Sequence, residues 1–87
     1  MIHTFKTEDD LMDFAPGLVS AAFQFVEMID DNFEWQFDSA FFSTTPQEDY
    51  NLLFKSYKSL DEYYEMSIHA KKNGNKYEFK ITSHTCE

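Results

Sequence analysis

Asn73-Gly74 lies between two stretches in which apolar and polar residues alternate, Met66 to Ala70 and Tyr77 to Ile81. Asn-Gly is the preferred pair for a type I′ turn, and alternation with period two marks a half-buried strand. Together these signals demand a β-hairpin. A two-residue loop at Asn73-Gly74 pairs Ala70 with Tyr77, Ile68 with Phe79 and Met66 with Ile81, so apolar residues meet at every step. The other face then carries His69 across from Glu78 and Ser67 across from Lys80.

The rest of the chain supplies helices and further strands. Ile2 to Phe5 fits a short strand. Thr7 followed by Glu8, Asp9 and Asp10 is a helix start, because a Thr cap and early acids satisfy the first free N–H groups. Pro16-Gly17 interrupts that helix. Leu18, Val19, Ala22, Phe25, Val26 and Ile29 then recur at helical spacing, which predicts a second helix from Leu18 to about Asp30. Phe33, Trp35 and Phe37 alternate with Glu34, Gln36 and Asp38 as a strand that continues through Phe41 and Phe42. Thr45-Pro46-Gln47-Glu48 has the form of a capping box with proline at the first helical position. It predicts a third helix that turns Leu53, Phe54, Tyr57 and Leu60 inward. The expected fold is α+β: one domain over residues 1–87, in which a small antiparallel sheet with a C-terminal β-hairpin packs against two or three helices.

Composition narrows the function classes. No apolar run approaches the roughly 18 residues of a membrane span. The segment MIHTFKTEDD lacks the basic and apolar regions of a signal peptide. Cys86 is the single cysteine, so a cytoplasmic protein is expected. His3, His69, His84 and Cys86 show no zinc-site spacing, and Asp30-Asp31-Asn32-Phe33-Glu34 lacks the turn glycine and the downstream glutamate of a calcium loop. Cys86 lies beside Glu87, which disfavours a thiolate, and no nucleophile elbow is present. No catalytic residue, metal or cofactor is expected, and the chain is read as a non-enzyme.

The formal net charge is −9, from sixteen acids against seven Lys and no Arg. Direct contact with DNA, RNA or an anionic membrane is disfavoured, because phosphate contacts need clustered cations. The charge is also uneven. From Thr7 to Phe54 there are eleven acids and no Lys, Arg or His: Glu8, Asp9, Asp10, Asp13, Glu27, Asp30, Asp31, Glu34, Asp38, Glu48 and Asp49. Acids in a first helical turn stabilise it by about 0.3–1 kcal/mol each, which accounts for Glu8, Asp9, Asp10, Glu48 and Asp49 as ordinary solvated positions. Glu27, Asp30, Asp31 and Glu34 sit where the helix dipole opposes them. Glu27 and Asp31 at i,i+4 would cost about 0.2–0.5 kcal/mol, and Glu34 and Asp38 line one strand face. A one-sign field kept at such cost points to a basic partner. The expected partner-binding residues are Glu8, Asp9, Asp13, Glu27, Asp30, Asp31, Glu34, Asp38, Glu48 and Asp49.

Helical carboxylates at i,i+3 and i,i+4 stand about 5–6 Å apart, comparable to neighbouring phosphates. In size, charge, aromatic richness and the cation-free run Thr7–Phe54, the chain resembles small acidic phage inhibitors that imitate DNA. These are the Ocr-like and Arn-like anti-restriction proteins and several anti-CRISPR proteins. The resemblance implies a phage protein that evades host defence from the host cytoplasm. Its partner would be a basic nucleic-acid-binding protein such as a restriction or CRISPR nuclease, with an Arn-like block of a modified-cytosine-dependent nuclease as the most specific form.

A second reading is an immunity protein that neutralises a nuclease toxin through Trp35, Tyr50, Tyr63 or Tyr64 as an anchor ringed by carboxylates. A third is a plain interaction module. The sixteen aromatic residues exceed what a small core hides, and Phe41-Phe42 and Tyr63-Tyr64 would each expose one ring if they lie in strands. A homodimer follows from that surplus.

Overall fold

The computed structural model describes residues 3–42 and 49–85. Five strands and two helices follow in the order β1 (His3–Phe5), α1 (Glu8–Phe14), α2 (Leu18–Ile29), β2 (Gln36–Phe42), β3 (Asp49–Tyr57), β4 (Tyr63–Asn73) and β5 (Lys76–Thr85). The strands form one antiparallel sheet in the order β1-β2-β3-β4-β5. The class is α+β. No described helix is long and apolar enough to cross a membrane.

Each helix begins where its residues dictate. The Thr7 hydroxyl accepts from the Asp10 N–H at 3.2 Å, and Glu8, Asp9 and Asp10 occupy the first turn of α1. Pro16 disfavours helical backbone at Ala15, and α1 stops there. Gly17, at φ +87°, supplies the left-handed residue that re-aims the chain into α2.

Period two governs the sheet. Tyr50, Leu52, Phe54 and Ser56 of β3, with Met66, Ile68 and Ala70 of β4, are buried on one face. They share a core with Leu11 of α1, with Leu18, Val19, Ala22 and Val26 of α2, and with Ala40 and Phe42 of β2. Phe23 meets Phe54 edge-on at 5.0 Å, and Phe25 stacks on Phe79 at 5.3 Å. Among the described residues no helix covers the opposite face.

Three expectations change. The segment from Asp49 to Tyr57 is a strand, not a third helix; Thr45 to Glu48 lie outside the described residues. Leu53 faces away from the core, Tyr57 is half exposed, and Leu60 is 97% exposed in the β3–β4 loop. A local cap signal yields to pairing on both sides of β3, which satisfies every one of its alternating apolar positions.

The strand expected from Phe33 begins only at Gln36. Trp35 is buried ahead of it, its indole N–H donating to the Asp30 carbonyl at 3.0 Å. Within β2 a bulge at Asp38 re-phases the pairing between Phe37↔Phe54 and Ser39↔Leu53.

The third change concerns the hairpin register. Asn73 pairs with Lys76, so the two-residue turn is Gly74-Asn75. Gly74 is the one with positive φ, +66°, and no non-glycine residue has positive φ among those described. This is the backbone requirement of a II′ turn, which wants glycine first, and it outcompetes Asn-Gly in a I′ turn. The partners shift by two: Ala70↔Phe79, Ile68↔Ile81 and His69↔Lys80, with Glu78 opposite Lys71. A shift of two leaves each side chain on its expected face. A second bulge at Thr82 follows, where the Thr82 hydroxyl donates to the Ser67 carbonyl at 3.0 Å.

Candidate partner-binding surface

The acids fall into two groups once the fold is in place. On α1, Leu11 points into the core, so Asp9 and Asp13 stand on the opposite, solvent side one turn apart, flanked by Glu8 and Asp10. At the far end of α2, Glu27 is exposed in the last turn, and Asp31 and Glu34 are exposed in the loop before β2. Among the described residues these seven carboxylates enter no ion pair. Asp10 belongs with them, although the expected partner-binding set kept Glu8 and Asp9 of the same turn and left Asp10 out. The signal was its place in the same first turn as Glu8 and Asp9.

Three of the expected residues have partners inside the molecule. Asp38, freed from the ladder by its bulge, meets Lys55 Nζ at 3.3 Å and accepts from the Ser39 hydroxyl at 3.2 Å. Asp49 meets His69 Nε2 at 3.1 Å across β3 and β4. Asp30 caps α2 in extended backbone, accepts from the Asn32 N–H at 3.0 Å, and faces His84 Nε2 at 3.3 Å. Because α2 ends at Ile29, Glu27 and Asp31 do not form the expected like-charge helical pair, and Glu34 precedes the strand that would have aligned it with Asp38. Glu48 and Cys86 lie outside the described residues.

The aromatic candidates also divide. Trp35 and Tyr50 are core residues at 6% and 3% exposure. Burial, with Tyr77 nearby, raises the Tyr50 hydroxyl above its usual pKa and keeps it neutral. Tyr63 is 42% exposed and Tyr57 50%, their rings 5.6 Å apart, with Lys55 Nζ 4.4 Å from the Tyr63 ring centre. Partial burial opposes the Lys55 charge, but the Asp38 hydrogen bond and charge, aided by Tyr63 and Tyr57, outweigh it and raise the ammonium pKa. Lys58 is raised by the Tyr64 hydroxyl and by Glu62. An open depression of about 710 Å³ lies beside them, lined by Lys58, Asp61, Glu62, Tyr63, Tyr64, His84 and Thr85. Asp61 and Glu62 are exposed acids next to aromatic rings. Their position against Tyr63-Tyr64 was the sequence clue that a focus on the Thr7–Phe54 run passed over.

Among the described residues no cluster of three or more His, Cys, Asp or Glu is placed to hold a metal ion. Asp30, the first residue of the calcium-loop lookalike, already has its two carboxylate oxygens engaged by Asn32 and His84. No protein-family model, no curated protein and no solved structure matches the chain.

Proposed function

We propose that this protein is a non-enzymatic inhibitor that occupies the basic nucleic-acid-binding surface of another protein, in the manner of a DNA mimic. The observation that carries the reading is the set of seven exposed carboxylates on α1 and around the end of α2, with no ion pair among the described residues. Solubility calls for a net charge away from zero, which acids interspersed with lysines supply without gathering one sign in one region. A one-sign surface instead adds steering and selectivity toward a cationic groove. The target class favoured is a host defence nuclease of the restriction or CRISPR kind, met in the cytoplasm, since such grooves are built to take a row of phosphates.

The deciding experiment is capture from a bacterial lysate on immobilised protein, eluted with a salt gradient and repeated with excess duplex DNA. A retained DNA-binding protein that duplex DNA displaces, with affinity falling steeply in salt, is the expected result. A partner indifferent to both overturns the reading.

The half-exposed Tyr63, with Tyr57 and the acids Asp61 and Glu62 around it, favours one second reading, an immunity protein. The two readings separate by substitution. A mimic shares its binding over many charges, so D9N or D13N weakens the complex by less than about fivefold. An immunity protein loses about 2 kcal/mol or more, roughly thirtyfold, when an anchor such as Tyr63 is cut to alanine.

A further inference from the structure

The two edges of the sheet differ. β1 is three residues long, too short to template pairing. β5 is ten residues long, and among the described residues no strand pairs with its far side. The hairpin ladder fixes which backbone groups that side presents. Asn73 and Lys76 flank the turn as the first hydrogen-bonded pair, so Glu78 and Lys80 also bond to β4 by alternation. The N–H and C=O groups of Tyr77, Phe79 and Ile81 therefore point outward from the edge.

The side chains of the same three residues face the helix side. All three are only half buried, whereas the inward positions of β3 from Tyr50 to Ser56 and of β4 from Met66 to Ala70 are buried. Phe25 stacks on Phe79, yet the helices leave the apolar row of β5 incompletely covered. Glu78 and Lys80 alternate with that row on the open face and are exposed.

We propose that β5 pairs antiparallel with β5 of a second copy of this chain, about a two-fold axis at Phe79, making the two sheets continuous. Two independent demands restrict the register. Opposed residues must lie on the same face, and both must present outward backbone groups; each demand forces odd positions against odd and even against even. Centring on Phe79 sets Phe79 against its twin, Tyr77 against Ile81, and Glu78 against Lys80 twice. This register spans the whole segment from Lys76 to Thr82 and stops at the Thr82 bulge. Centring on Glu78 opposes Glu78 to itself and Lys76 to Lys80, and centring on Lys80 opposes two lysines. Centring on Tyr77 runs into the turn after one flanking pair. Opposite charges facing each other stabilise a strand pair, and like charges destabilise it. Lysines on an edge usually guard it against pairing. Here Glu78 between Lys76 and Lys80 makes the guard selective, admitting the strand's own copy in one register.

This interface stands apart from the functional reading, and a charge-swap series tests it. Light scattering at increasing concentration should give twice the chain mass for the wild-type protein. E78K and K80E each place like charges opposite one another and should each weaken self-association by about tenfold or more. An equimolar mixture of the two variants restores both opposite-charge pairs and should dimerise. Glu78 also faces Lys71 and accepts from the Asn73 amide within its own chain, so circular dichroism accompanies each variant. Tyr77→Pro gives a second route: its N–H faces outward, so proline spares the β4–β5 ladder while the pair loses a hydrogen bond. Tyr77→Ala, which removes the same ring contacts with Tyr50 and Phe79 but keeps the N–H, is the control that should still dimerise. A wild-type protein with the mass of one chain at about 100 μM, a concentration that populates dimers of micromolar affinity, overturns the proposal. Dimers that E78K, K80E and Tyr77→Pro all leave unchanged, or a mixture that stays monomeric, overturn it equally.

Discussion

The Asp30 carboxylate accepts from the Asn32 N–H with one oxygen and faces His84 Nε2 with the other, while its carbonyl accepts from the Trp35 indole. Its side chain is only 9% exposed. Three parts of the chain meet there: the end of α2, the loop into β2 and the end of β5. Asp31, the next residue, is exposed and has no described ion pair. Replacing Asp30 by alanine removes the acceptor of the exposed Asn32 N–H and the carboxylate facing His84, so D30A should lower stability by about 0.5–2 kcal/mol. D31A should stay within about 0.5 kcal/mol of wild type. Urea denaturation of the two variants checks the contrast, and equal midpoints would mean that the Asp30 contacts contribute nothing net. Sequence reading placed both residues in one acidic set because period and charge say nothing about which carboxylate turns back toward a histidine more than fifty positions away.

Gly74 bears the geometry of the β4–β5 turn. Its φ of +66° is accessible to glycine at little cost, and no atom beyond its two chain neighbours lies within 4 Å of where a Cβ would stand. The cost of G74A is therefore one of backbone conformation alone, about 1–2 kcal/mol. The same urea series should show it, with the dependence on denaturant unchanged; a neutral G74A would refute a left-handed requirement at this turn. The hairpin was legible in sequence to within two residues because its faces follow from alternation, which a two-residue slip preserves. The first two helices were legible because Thr7, Pro16 and Gly17 punctuate them. β3 was not. Leu53, Phe54, Tyr57 and Leu60 fit a helical stripe as readily as Tyr50, Leu52 and Phe54 fit a strand face, and the cap signal ahead of them broke the tie the wrong way. Only the pairing of β3 with β2 and β4, a long-range fact, resolves it.

Across the whole molecule, charge is sorted by element. Carboxylates occupy α1 and the surroundings of the α2 end, while Lys71, Lys72 and Lys76 cluster, exposed, around the β4–β5 turn. The sign of each region was readable from residue counts. Its division into seven carboxylates without described ion pairs and three that meet Lys55, His69 or His84 was not, because those partners come from distant strands. The strand order carries a separate consequence. β2, β3, β4 and β5 each lie beside their sequence neighbours, whereas β1 reaches β2 only after both helices have been laid down, pairing Phe5 with Ala40. Short closures come first, since a long loop surrenders more chain entropy before any contact repays it. Pulse-labelled hydrogen exchange during refolding should find amides of β4 and β5 protected before those of His3 to Phe5; simultaneous protection would contradict that sequence of events. The shortest strand thus works as a latch, the last piece to seat as the fold assembles and the first to lift as it comes apart.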